Sequence, residues 1–191
     1  SDFHGSEYVG DYFKCREYIS GFTGSAGTLV VTLDEAGLWT DGRYFLQAAK
    51  QLEGSGIMLR KERQPGVPAI EEYLKQTLKR GETLGFDGRC IMQDSSEKLI
   101  TQLNAQGVAV RTDIDLTGAV WKNRPELSAQ PVWPLPVEYA GESSESKIKR
   151  VREFLVEKKA DYFLLTSLED IAWLLNMRGN DVESTPVILS Y

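Results

Sequence analysis

Apolar positions along this chain alternate between helical and strand-like spacing, and the switches mark out its elements. Residues 11–19 suit a short helix ended by Gly21, and a strand at about 28–33 follows the glycines. Asp34 to Gly37 reads as a hairpin loop into Leu38-Trp39-Thr40. Tyr44, Phe45, Ala48, Ala49 and Leu52 share one face of a 3.6-residue repeat, which predicts a helix over about 43–52 before the strand Ile57-Met58-Leu59. Pro68 then opens a helix whose apolar face is Ile70, Tyr73, Leu74 and Leu78, as far as the stop at Gly81. Thr83 to Phe86 is strand-like. Asp94 or Ser95 can cap a helix carrying Leu99, Ile100 and Leu103, with Gly107 ending it before the strand Val108 to Val110.

Strand and helix alternate, so the expected fold is α/β: a mixed, largely parallel sheet with helices on both faces. Between Asn123 and Ser144 neither period survives, and four of the seven prolines fall there, which predicts a semi-extended linker. A long ordered loop packed through Trp121 and Trp133 is the other reading of that stretch. Beyond it, Ile148, Val151, Phe154 and Leu155 mark a helix, and Tyr162 to Leu165 is apolar on both sides, as a central strand would be. The expected organisation is a first domain at 1–124, a linker at 125–145 and an incomplete second domain at 146–191.

The second domain resembles a repeat of the first. Ile19-Ser-Gly-Phe-Thr-Gly24 stands where Leu174-Leu-Asn-Met-Arg-Gly179 stands, so the first copy lacks an opening helix and strand. One hypothesis is that helix 146–159 and strand 161–166 supply them, within the chain or by exchange with a second copy. An ordinary separate second domain is the favoured reading.

Composition narrows the function classes. Hydrophobic residues at 41% and charged residues at 26% are those of a globular protein, and no apolar run approaches the ~20 residues of a membrane helix. The net charge is −6, from 22 basic against 28 acidic residues, and the basic ones are scattered, so nucleic acid is a poor partner. Cys15 and Cys90 have neither metal-ligand spacing nor a disulfide framework, which points to a reducing, cytoplasmic setting. The start at Ser1, without an initiator Met or signal-like run, is expected to lie inside a longer gene product.

The glycines Gly21, Gly24 and Gly27 invite a nucleotide reading that the order of elements rejects. A dinucleotide fingerprint needs strand, Gly-x-Gly-x-x-Gly, then helix, and here the spacing and order both differ. Close backbone packing at a crossing is their expected role. A single histidine, His4, leaves no partner imidazole for a triad or a metal centre. Arg43 stands out because a cation at a helix start is badly placed against the positive helix end, so it either pairs with Asp41 or a nearby carboxylate, or serves another function. Arg178 is expected to pair with Asp181 or Asp170, or to hold a domain interface. A carboxylate pair such as Asp41 and Asp87 would be needed for an unrelated enzyme class, and no local spacing argues for one.

Three segments together are distinctive: Ser20-Gly-Phe-Thr-Gly-Ser-Ala-Gly27 followed by Trp39-Thr-Asp-Gly-Arg-Tyr44, the opening Asp2-Phe-His-Gly-Ser-Glu-Tyr8, and Leu168-Glu-Asp-Ile-Ala-Trp-Leu-Leu-Asn-Met-Arg-Gly-Asn-Asp-Val182. They resemble the N-terminal region of the Xaa-Pro aminopeptidases, in the creatinase/prolidase group. The resemblance implies a non-catalytic region that restricts the peptide-binding cleft and aids subunit pairing in a homodimer. It implies that catalysis, release of the residue preceding proline, belongs to a separate C-terminal domain holding two Mn2+ ions. It also implies that Arg43 helps bind proline-containing peptides and makes His4 a second candidate near the substrate channel. A freestanding interaction module of the same fold is the rival.

Overall fold

The computed structural model describes residues 1–190, which divide into two compact units: residues 1–7 with 13–124, and residues 8–12 with 125–190.

In the first unit, helix α1 (Cys15–Ser20) ends on Gly21, whose φ of 70° is the left-handed conformation glycine adopts without strain. Strands β1 (Thr28–Val31) and β2 (Ala36–Thr40) form an antiparallel hairpin, with Leu29 opposite Leu38. Helix α2 (Phe45–Gln51) returns the chain so that β3 (Ile57–Lys61) pairs parallel to β2, with Leu38 opposite Leu59. The order β1-β2-β3 makes β2 central, and its alternation sends neighbours to opposite faces. Leu38, fully buried, packs with Phe22, Ala48 and Leu52, while Trp39 packs with Val30, Tyr73 and Leu74 of helix α3 (Ile70–Thr77). Two helices thus cover two faces of one short sheet. The buried Trp39 indole N–H is not wasted: it donates to the Pro68 carbonyl at 2.9 Å.

The parallel pair β4 (Thr83–Gly85) and β5 (Ala109–Arg111) encloses helix α4 (Gln93–Ala105), followed by the short α5 (Leu116–Val120). The expected α/β character holds, but the strands fall into a three-stranded and a two-stranded sheet rather than one. Helix α4 starts before the expected cap: Met92 occupies the N-cap without a side-chain bond, and Asp94 lies in the first turn, where its charge suits the positive helix end.

The second unit departs further from expectation. Residues 125–145 are not featureless: they carry β6 (Trp133–Pro134), which pairs antiparallel with β7 (Met177–Arg178), and a helical turn α6 (Val137–Ala140). Helices α7 (Ser144–Lys158) and α8 (Leu168–Leu175) are both capped by serine hydroxyls, Ser143 and Ser167. Lys147 joins them. Its buried ammonium donates to the Trp173 carbonyl at 2.9 Å and to Asn176 Oδ1 at 2.7 Å, over the Trp173 ring. The core of this unit is Leu168, Ala172, Val182 and Val187.

Tyr162 to Leu165 is not a strand. It pairs with no strand among the described residues, and Tyr162 and Leu164 are 93% and 85% exposed. The idea that it completes the first sheet within this chain is therefore overturned. An apolar pattern specifies burial only where neighbouring strands exist to cover it. Residues 187–189 are not a strand either; the Asp181 carboxylate accepts from the Leu189 N–H at 2.8 Å.

Candidate functional site

The distinctive motifs of the first unit converge on one surface. Arg16, on α1, reaches across the glycine-rich crossing and donates to the carbonyls of Gly27, at 2.6 Å, and Gly24. Burial pulls this guanidinium below its ordinary value, though it stays charged. Gly24 is there for space. A Cβ at that position would come within 2.8 Å of the Tyr44 ring and closer still to Phe22. Thr40, buried at the end of β2, donates its hydroxyl to the Ala26 carbonyl at 2.7 Å, locking the crossing to the following turn. On the other side, Gln47 and Gln51 of α2 both donate to the Thr23 hydroxyl at 2.9 Å.

That frame fixes the Asp41 to Tyr44 turn. The Tyr44 N–H closes it on the Asp41 carbonyl at 3.0 Å. The Asp41 carboxylate accepts from the Arg43 backbone N–H and Nε at 3.0 Å through Oδ1, and from Nη2 at 2.8 Å through Oδ2. These bonds hold the Asp41 carboxyl below its usual range and push the Arg43 guanidinium up. The pairing with Asp41 considered from sequence is therefore real, and it is only half of the arrangement. Asp41 engages the Nε/Nη2 edge, and three of the five guanidinium N–H donors remain, two on Nη1 and one on Nη2. The Arg43 side chain is 61% exposed.

Three residues not singled out from sequence surround that edge. Glu7 Oε1 lies 3.7 Å from Arg43 Nη1, an ion pair too long for a hydrogen bond. Ser25, in the glycine-rich crossing, donates to Glu7 Oε1 at 3.1 Å, and its Oγ lies 2.7 Å from the Tyr44 hydroxyl. With the Ser25 proton on Glu7, the Tyr44 hydroxyl donates to Ser25. The Tyr44 ring packs edge-on to Phe22 and lies 5.3 Å from the Arg43 guanidinium carbon. The signal was present, since all three sit inside the quoted motifs. Their sequence separation hid the contact.

His4 is placed differently. Its side chain is 3% exposed, within a turn in which Asp2 Oδ1 accepts from the His4 and Ser6 N–H groups at 3.0 and 2.8 Å. Its Nδ1 lies 3.9 Å from Asp2 Oδ2. Arg178 pairs with neither Asp181 nor Asp170: it donates to the carbonyls of Ala172 and Met177, both at 2.8 Å. Asp181 instead accepts from the Ser128 hydroxyl at 2.6 Å.

The carboxylate pair Asp41 and Asp87 is not free for acid–base work. Arg89 grips Asp87 through Nε at 2.9 Å and Nη2 at 2.7 Å, holding its carboxyl low as Arg43 does for Asp41. Among the described residues no group of three or more His, Cys, Asp or Glu side chains is placed to hold a metal ion. Among the described residues no helix is long and apolar enough to cross a membrane. What the Arg43 surface can do is bind an oxygen acceptor on an exposed, pre-oriented guanidinium edge beside a fixed carboxylate.

The chain is 40% identical over 192 residues to an Xaa-Pro aminopeptidase of Caenorhabditis elegans, and 39% identical over 199 residues to Xaa-Pro aminopeptidase 1 of Dictyostelium discoideum. Both alignments cover all of this chain but only 31% and 32% of the relatives, so it spans about a third of their length. The crystal structure of an X-prolyl aminopeptidase from C. elegans, described as a cytosolic enzyme with a di-nuclear active site, superposes with a TM-score of 0.88 at 39% identity, over 98% of this chain and 31% of that one. Models of the creatinase/prolidase N-terminal domain match residues 14–125 and, in a second form, 123–191. With both of its units matched in this way, the chain belongs to the creatinase/prolidase N-terminal domain family.

Proposed function

We propose that this chain is the non-catalytic N-terminal region of a metal-dependent Xaa-Pro aminopeptidase, the complete polypeptide removing the N-terminal residue that precedes a proline. In this reading residues 1–124 form its first domain and 146–191 the start of a second, with 125–145, expected as a linker, built into the second unit through the pairing of β6 with β7. The observation that carries this reading is the Arg43 guanidinium, fixed by Asp41 on one edge and open on the other, within a segment aligned throughout its length with such enzymes. In that role Arg43 binds a backbone oxygen of the peptide, and the buried His4 turn holds the Glu7 segment beside it. The catalytic step belongs to a separate domain carrying two metal ions, read as Mn2+, and the region also serves subunit pairing in a cytoplasmic homodimer. The relatives' names and the C. elegans structure's description support this reading.

The freestanding interaction module has one observation in its favour, the exposed apolar stretch at Tyr162 to Leu164. One experiment separates the two. This chain alone with Mn2+ should not turn over Xaa-Pro peptides, and in the complete polypeptide Arg43→Ala should raise KM about tenfold or more, the scale of a lost hydrogen bond to a charged group. Metal content should be unchanged. An unaltered KM would remove Arg43 from the site.

A further inference from the structure

Resting on that reading of Arg43, we propose that Glu7 is a specificity-determining residue: with Arg43 it forms a two-part reader of neutral peptide backbone that rejects a free carboxylate at the same position. The open Arg43 edge supplies donors, and Glu7, fixed beside it by the Ser25 hydroxyl, supplies an acceptor. Glu7 Oε1 is occupied by Ser25, while Oε2 has no hydrogen bond to a described residue and the side chain is 56% exposed. One residue of an extended peptide turns its C=O and its N–H toward the same side. The carbonyl meets Arg43 and the N–H meets Glu7. A chain-terminal residue keeps its own N–H and offers a stronger acceptor to Arg43, but its carboxylate brings a second negative charge against Glu7. A C-terminal amide presents the same C=O and N–H without the charge and so avoids the repulsion.

Gly42 agrees with this geometry. Its φ is not left-handed, and a Cβ there would meet only Phe45 Cε2, at 4.0 Å. Neither backbone strain nor packing within this chain demands glycine, so the small residue leaves the approach to Arg43 uncovered. Asp41 is already committed to Arg43 by three hydrogen bonds, which leaves Glu7 as the carboxylate that faces the incoming group.

The test uses the complete polypeptide and a series of Xaa-Pro peptides of increasing length, each as free acid and as C-terminal amide. At the length that places the terminus at Arg43, the wild type should show a higher KM for the acid than for the amide. Glu7→Gln, which keeps the acceptor oxygen and removes the charge, should lower that acid-to-amide KM ratio about two- to fivefold, the scale of an exposed charge pair. The change should appear in KM and shrink at high salt, which a merely structural defect would not do. Ser25→Ala, freeing the Glu7 carboxylate to swing away, should lower the ratio less. An acid-to-amide ratio identical in wild type and Glu7→Gln at every length, while Arg43→Ala still raises KM, overturns the role of Glu7 and leaves that of Arg43 standing. If Arg43→Ala is also without effect, the underlying reading falls with it.

Discussion

Asp-Gly-Arg occurs twice in the first unit, at 41–43 and 87–89, and the two copies fold alike locally. In each, the aspartate accepts from the arginine's backbone N–H, Nε and Nη2 at 2.7 to 3.0 Å. Both arginines remain more than half exposed, 61% and 57%. Their surroundings differ. Arg89 lies over the Phe3 ring at 4.4 Å, a cation on an apolar face, and Gly88 is pressed against the segment that follows β5, its N–H donating to the Thr112 carbonyl at 2.8 Å. Arg43 has a carboxylate, a hydroxyl relay and an open glycine beside it instead. The closed Asp–Arg fork is thus a local device that a short turn makes on its own. What converts one copy into a binding surface is what other segments bring to it.

That contrast can be pressed through the buried side of the second turn. Cys90 follows Arg89 directly, and burial, reinforced by Asp87, pushes its thiol from 9.0 up to about 11. At pH 8 the folded protein should therefore react with iodoacetamide at Cys90 about a hundredfold more slowly than the unfolded chain, read by mass spectrometry after timed quenching. A raised value means the folded state holds this proton more tightly, so the contribution is complete below pH 9 and fades as pH rises toward 11. Rapid alkylation of the folded protein would show that the second turn is not the packed one.

The two glycines offer a smaller and more direct contrast. A Cβ on Gly88 would lie 2.9 Å from Thr112 Cβ and 3.0 Å from its carbonyl oxygen, whereas Gly42 has open space. Gly88→Ala should cost about 1–3 kcal/mol, as overpacking does. Gly42→Ala should stay within about 0.5 kcal/mol, as surface changes do. Urea midpoints of the two variants measure the difference, and equal midpoints would erase it.

These features were unequally visible in the sequence. The faces of α2 and α3 could be read because a helix buries positions set by its own period, and the hairpin into Leu38 and Trp39 was marked by the loop residues before it. Arg43 was visible through its motif and its awkward place at a helix start. Glu7, Ser25 and Tyr44 were not separable from their motifs, because contact between distant segments has no local period. Tyr162 to Leu165 was misread for a related reason: its apolar run encodes partners, and a strand exists only where those partners lie beside it. The stretch at 125–145 hid β6 because a two-residue strand leaves no periodicity to detect.

The two forks also supply the sharpest test. KM on Xaa-Pro peptides would be measured for Arg43→Ala and Arg89→Ala in the complete polypeptide, each variant checked for an unchanged urea midpoint. The account predicts a rise of about tenfold or more for Arg43→Ala and a change within about twofold for Arg89→Ala. Equal effects from the two substitutions, or none from the first, would contradict it.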